Sequence, residues 1–301
     1  MLGGMRTSVK HPQLLPVLPV LPVLAALIVA ALAAVGLAGP AVATAPDRSA
    51  VQPLERAHAH NDYDHERPLF DALDHGFTSV EADVWLVAGE LYIGHDAPDL
   101  TRTLTGEYLR PLAKRVHANK GSVYPHWRDS LRLLIDVKSE GTTTWPIIER
   151  ELARFPSLIT RHVNGHVVRK PVTAVISGNR DLAAMKAATE RRSFYDARLG
   201  DLRSGLPADL VALLSDNWTK NFTWNGVGPM PSEERAKLRD IVDTAHANGY
   251  EVRFWATPDA PGAARDAVWR ELIAAGVDAI NTDDLAGLQA FLLDEDPAEA
   301  A

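Results

Sequence analysis

The sequence predicts a (β/α)8 barrel of the TIM type. Three observations point there. Short strand-like segments alternate with amphipathic helix-like ones about eight times across residues 55–293. That span matches the size of the fold, typically about 250 residues. No Gly-x-Gly-x-x-Gly turn follows any strand-like segment, which counts against an open dinucleotide-binding sheet.

The elements read in order as follows. Residues 46–54 form a short linker, and the first strand lies near Arg56–His60. A helix over Pro68–His75 has proline at its start and Leu69, Phe70 and Leu73 on its apolar face; Gly76 ends it. In the second strand, Ser79–Leu86, alternation puts Val80, Ala82, Val84 and Leu86 on one face and Glu81, Asp83 and Trp85 on the other. Glu90–Gly94 is an extended return. Thr105–Val116 reads as a helix and residues 117–130 as a loop. The third strand, Leu131–Lys138, turns Leu134, Asp136 and Lys138 to one face. A helix over Trp145–Arg154 carries Pro146 in its first turn. Strand four (Val172–Ser177), a helix (Asp181–Thr189), strand five (Ser193–Ala197) and strand six (Leu210–Ser215) follow. Ser232 is read as the cap of a helix with Glu233 and Glu234 in its first turn, favourable to the helix dipole. Strand seven (Tyr250–Ala256), a helix (Ala264–Ala275), strand eight (Val277–Asn281) and a last helix (Ala286–Leu293) complete the pattern, and residues 294–301 form an acidic tail.

Composition narrows the chemistry. The chain has 301 residues, 46% of them hydrophobic and 23% charged, with a net charge of −8. No broad basic surface is available to track a nucleic-acid backbone. An acidic protein acting on an anion needs a local positive charge, which a bound divalent cation supplies. With no cysteine, disulfides, thiolate zinc sites and cysteine nucleophiles are excluded. Residues 1–45 read as a signal peptide: Arg6 and Lys10 precede an uncharged stretch from Leu14 to Gly39, and Ala41 and Ala43 suit cleavage after Ala43. The expectation is a secreted protein; the alternative is an N-terminal membrane anchor. Cleavage removes two positive charges and takes the net charge from −8 to −10. The expected state is a monomer.

The residues able to do chemistry fall at the carboxyl ends of the strands, where such barrels place their sites. Glu81, Asp83 and Asp136 form a three-carboxylate cluster whose hard oxygens suit one Mg2+ or Ca2+. His60 and His95 suit a general base and general acid, since imidazole titrates near neutral pH. Of the eleven histidines, His65, His75, His117, His126, His162, His166 and His246 are read as surface or structural residues. His58 shares the face of His60 one layer deeper, and is read as a support for the site, with a metal ligand and a buried structural histidine as alternatives. Lys138 either neutralises a phosphate oxygen or pairs with Asp136 or Glu81. Trp255 either walls the substrate or packs as a barrel-top aromatic.

At these residues the chain resembles the phospholipase C-like phosphodiesterase superfamily, and within it the branch of altered inheritance of mitochondria protein 6. The resemblance rests on His-Asn-Asp-Tyr at 60–63, Ser-Val-Glu-Ala-Asp-Val-Trp-Leu at 79–86, Gly-His at 94–95, Arg-Thr-Leu at 102–104, Tyr-Leu-Arg-Pro-Leu at 108–112, Ile-Asp-Val-Lys at 135–138, Val-Arg-Phe-Trp-Ala-Thr-Pro at 252–258 and Ile-Asn-Thr-Asp-Asp at 280–284. It implies His60 and His95 as the acid/base pair and Glu81, Asp83 and Asp136 as metal ligands. The first motif departs from glycerophosphodiesterases, which carry His-Arg-Gly there, and its short interval to Glu81 resembles the sphingomyelinase D-like branch. The expected activity is metal-dependent phosphodiester hydrolysis of a glycerophosphodiester or lipid-headgroup substrate. Two other readings stand beside it: a non-catalytic binding barrel, and an amidohydrolase- or phosphatase-type barrel using His58-x-His60.

Overall fold

The computed structural model describes residues 51–296 and 298. The leader over residues 1–45 lies outside the described residues. Eight parallel strands form the barrel: β1 (Leu54–Ala59), β2 (Phe77–Val87), β3 (Leu131–Val137), β4 (Val172–Gly178), β5 (Ser193–Ala197), β6 (Val211–Asn217), β7 (Glu251–Trp255) and β8 (Ala279–Thr282). Each pairs with its neighbour, and β1 pairs with both β8 and β2, which closes the cylinder. The helices between and after the strands include α1 (Phe70–Asp74), α2 (Arg110–Ala118), α3 (Gly141–Leu152), α4 (Leu182–Ala187), α5 (Ser232–Ala247), α6 (Ala263–Ala275) and α7 (Leu285–Glu295), with a single further helical turn at Trp218–Asn221. The predicted fold class is the observed one.

Apolar side chains make two layers. The larger lies between strands and helices: on β3 it takes Leu131, Leu133, Ile135 and Val137, all buried. The smaller is a thin plug of Leu134, Val175 and Leu213 inside the barrel. Above the plug the barrel interior is polar, with His58, Glu81, Asp83, Asp196, Arg253 and Asn281 all buried. Buried charges at this density must be paired or bind a ligand.

Several elements differ from the sequence reading. Helix α3 begins at Gly141, not Trp145, because the Glu140 carboxylate accepts the free N–H groups of Thr142 and Thr143 and so starts the helix ahead of Pro146. Pro231, not Ser232, is the capping residue of α5, and Glu234 accepts from the backbone N–H of Thr223 and Trp224. Between β5 and β6 there is only a 3-10 turn at Leu199–Asp201. Two strand pairings lie outside the barrel. Glu90–Ile93 and Asp99–Thr103 extend β2 antiparallel, and Arg161–Val163 pairs with His166–Val168 in a hairpin. The hairpin had a legible signal in Asn164-Gly165, both with positive φ. Finally, α7 continues into the acidic stretch as far as Glu295, and the buried Asp296 pairs with Arg56 at 2.6 Å.

Candidate active site

The carboxylate cluster follows from strand register. Asp83 of β2 lies directly opposite Asp136 of β3, which in turn lies opposite Ser177 of β4. Like charges placed opposite one another destabilise a sheet unless something balances them. Here ligand oxygens of Glu81, Asp83 and Asp136 lie within 4.8 Å of one another. Part of the balance is local: the Lys138 ammonium lies 2.9 Å from Asp83 Oδ2 and 3.2 Å from Asp136 Oδ2, and Arg253 Nη2 donates to Glu81 Oε2 at 3.1 Å. Gly178 makes room for the cluster, since any Cβ at this φ of +66° would collide with the Asp136 carboxylate.

Asp83 is used unevenly. Its Oδ2 accepts from Tyr63 Oη (2.8 Å), His95 Nδ1 (2.7 Å) and Lys138 Nζ (2.9 Å), while its buried Oδ1 has no hydrogen-bond partner. An orphaned buried oxygen on a carboxylate that clusters with two more carboxylates makes a donor set that a hard divalent cation fits. Burial raises the Asp136 pKa, and the nearby Glu81 charge adds to the rise against the pull of Lys138. For Glu81, burial acts in the same direction but loses to the Arg253 charge and the His58 hydrogen bond, so its carboxyl sits well below the usual range.

The two predicted catalytic histidines line the same cavity. His60 leaves the end of β1, and its Nδ1 faces Asp283 Oδ1 at 2.9 Å. With Nδ1–H donating to that carboxylate, Nε2 is the basic nitrogen. Burial alone would lower the His60 pKa; the Asp283 hydrogen bond and the Glu81 charge outweigh it and raise it. His95 follows Gly94, which is tied down by Trp85 Nε1 at 2.8 Å, and its Nδ1 is fixed on Asp83. His58 is wholly buried, with Nδ1 at 2.6 Å from Ser79 Oγ and Nε2 at 3.2 Å from Glu81 Oε2. Burial, with Arg253 and Arg132 nearby, pulls its pKa down to about 3, so it is neutral and donates through Nε2 to Glu81. It holds a carboxylate in place from below.

A cavity of about 240 Å³ opens above these groups. His60, Asn61, Glu81, His95, Asp136, Lys138, Arg253 and Trp255 line it together with Ser177, Arg198 and Ser215 from the β4–β6 strand ends. Lys138 is thus both paired with carboxylates and open to the cavity. Trp255 stands on the rim at the end of β7, opposite Asn217 of β6.

The sequence reading missed several residues. Arg253 had a signal, an arginine in the middle of a strand-like run. Arg198 and its partners Asp196, Ser177 and Ser215 had none beyond position, because each is common on exposed strand ends. Tyr63, within the His-Asn-Asp-Tyr motif, donates to Asp83 and lies 2.7 Å from Asn61 Oδ1, tying the base side of the site to the acid side.

The closed barrel with its polar, acidic site matches descriptions of phosphodiesterase-type domains. The description "AIM6-like phosphodiesterase domain" matches residues 48–196, and "Glycerophosphoryl diester phosphodiesterase family" matches residues 251–286. The chain is 31% identical over 254 residues to an altered inheritance of mitochondria protein 6 homolog from Arthroderma benhamiae, covering 76% of this chain and 81% of that one. It is 30% identical to altered inheritance of mitochondria protein 6 from Eremothecium gossypii, covering 80% and 70%. The chain belongs to the altered inheritance of mitochondria protein 6 family. Among solved structures, a calcium-dependent phosphoinositol-specific phospholipase C from Pseudomonas sp. aligns over 79% of this chain and 90% of that one, at 11% identity and a TM-score of 0.49.

Proposed function

We propose that the protein is an exported, cation-dependent phosphodiester hydrolase working by histidine acid–base catalysis. One observation carries the reading: Asp83 fixes His95 with Oδ2, leaves its buried Oδ1 unpartnered, and brings a carboxylate oxygen within 4.8 Å of ones from Glu81 and Asp136. Mg2+ or Ca2+ held by those three carboxylates would supply positive charge to the phosphoryl oxygens.

The chain's own residues do the rest. Asp283 holds His60 with Nε2 toward the cavity, where it takes the proton from a water or a substrate hydroxyl as that oxygen forms its bond to phosphorus. His95, with Nδ1 held by Asp83, gives its Nε2 proton to the departing alkoxide as the opposite P–O bond breaks. If the attacking hydroxyl belongs to the substrate, the first product is a cyclic phosphate. Lys138 faces the cavity close enough to the trio to bind a phosphoryl oxygen, and Trp255 walls the entrance. His58, with both ring nitrogens engaged by Ser79 and Glu81, supports the site, which disfavours a His-x-His metal barrel.

Export rests on the leader-like residues 1–45; among the described residues no helix is long and apolar enough to cross a membrane. The test is a 31P NMR time course on glycerophosphodiesters and bis(p-nitrophenyl) phosphate with Mg2+ or Ca2+ present. The expected result is cation-dependent turnover, lowered on the order of 10²–10⁴-fold in His60→Ala or His95→Ala. No turnover of any diester by the cation-loaded protein would favour a binding barrel instead.

A further inference from the structure

The cavity has a second wall that the phosphoryl chemistry does not use. Asp196, at the end of β5, is wholly buried, yet both its oxygens have partners: Oδ2 accepts from Ser177 Oγ (2.7 Å) and Arg198 Nη1 (2.6 Å), and the one Ser215 hydroxyl proton is shared between Oδ1 (2.7 Å) and Oδ2 (2.8 Å). Arg198 also donates to Ser215 (3.1 Å) and, through Nη2, to Ser177 (3.1 Å). The quartet locks the guanidinium in one pose while leaving its side chain 27% exposed. Its Nε makes no hydrogen bond among the described residues. A fixed guanidinium with spare N–H groups, beside two serine oxygens that still have acceptor capacity, is a ready-made hydroxyl-binding surface.

Charge and shape narrow the guest. Arg198, Arg253 and Lys138 all line the cavity, and a bound divalent ion would add to them. A quaternary ammonium is recognised by several aromatic faces free of competing cations. This cavity has one aromatic, Trp255, and no aliphatic lining. At about 240 Å³ it is smaller than the usual ligand site of about 300–1,000 Å³, so only a small headgroup fits beside the phosphate.

We infer that the Ser177–Asp196–Arg198–Ser215 wall is a specificity subsite for a small neutral polyol esterified to the phosphate, and that it rejects choline-type headgroups. This rests on the phosphodiesterase reading, and the experiment separates the two. The cation-loaded protein and its Arg198→Met variant are assayed on glycerophosphoinositol, glycerophosphoglycerol, glycerophosphocholine and bis(p-nitrophenyl) phosphate. The expected result is a polyol-over-choline preference of about tenfold or more in kcat/KM. Arg198→Met should erase it by raising KM for the polyol esters several-fold more than for glycerophosphocholine or bis(p-nitrophenyl) phosphate. Equal use of the choline ester by the wild type, or an equal loss on all four substrates in the variant, overturns the subsite. If no diester is turned over, the phosphodiesterase reading fails and the subsite is read by binding. Protein thermal shift with myo-inositol 1-phosphate should then exceed that with phosphocholine and vanish in Arg198→Met; equal shifts overturn it.

Discussion

Asp83 on β2 and Asp196 on β5 each sit behind residues that line the cavity: Asp83 behind His95 and Lys138, Asp196 behind Ser177, Arg198 and Ser215. Both are wholly buried. Asp196 has every oxygen filled by neighbours in its own wall, and Asp83 has three donors on one oxygen and none on the other. A saturated buried network holds a shape, whereas an unsaturated one stores affinity for something that is missing. Asp83 stood out in the sequence beside Glu81, whereas Asp196 passed as an ordinary strand-end aspartate. In the proposed function, the β1–β3 side serves the reacting phosphate and the β4–β6 side the group that the phosphate is attached to.

The largest effect that would break this contrast is Asp83→Asn. It removes a cation ligand and the acceptor that orients His95, so kcat should fall toward the upper end of the range for one acid–base group, on the order of 10⁴-fold, with the fold retained by circular dichroism. Asp196→Asn should behave in the opposite way. It leaves Arg198 without its counterion and should cost about 2 kcal/mol or more in denaturant unfolding, yet leave cation binding intact. Similar activity losses with unchanged stability in both would erase the distinction.

A smaller effect tests the base. Asp283 raises the His60 pKa, so the acid limb of kcat/KM should lie above the ordinary histidine value of 6.5. Asp283→Asn removes that support; the limb should move to lower pH, and the plateau rate should drop by about tenfold as the base weakens. A limb that stays in place would take His60 out of the base role.

The smallest effect concerns stability beside the site. Asp62 is buried, with Oδ2 accepting from Leu69 N and Tyr108 Oη and with Oδ1 unpartnered; burial pushes its pKa up to about 7. The folded state therefore favours the protonated acid. That contribution is complete below about pH 4 and is lost as the pH rises through about 7. Asp62→Asn should narrow the Tm gap between pH 5 and pH 8, by roughly 2–4 °C for each kcal/mol involved. A gap that does not change in calorimetry would mean that Asp62 ionises without penalty.

The same contrast explains what could be read from the sequence. Alternation on β2 and β3 put Glu81, Asp83 and Asp136 on one face at the right strand ends, and parallel register then brought them together. Glu81 and Asp83 stood out because two carboxylates two residues apart on a buried strand are expensive without a purpose. The Asp196 wall was illegible for the converse reason. Its members come singly from β4, β5, β6 and the turn after β5, and become a unit only when the barrel closes. Asp283, in the Ile-Asn-Thr-Asp-Asp string, was legible as a rim residue at the end of strand eight, but its pairing with His60 was not; Tyr63 sits in a 3-10 turn over Asp62–Asp64, where no strand alternation announces which way a side chain points. The short linkage between β5 and β6 has no helical pattern to find, and none forms. The early start of α3 turned on Glu140, an ordinary-looking glutamate until its oxygens meet two backbone N–H groups.

The most direct measurement is a calorimetric titration of Mg2+ or Ca2+ into cation-free protein, with Asp83→Asn and Asp196→Asn alongside. The predicted result is one cation per chain in the wild type, lost in Asp83→Asn and kept in Asp196→Asn. No binding to the wild type, or the same stoichiometry and affinity in Asp83→Asn, would contradict a cation at the open oxygen of Asp83.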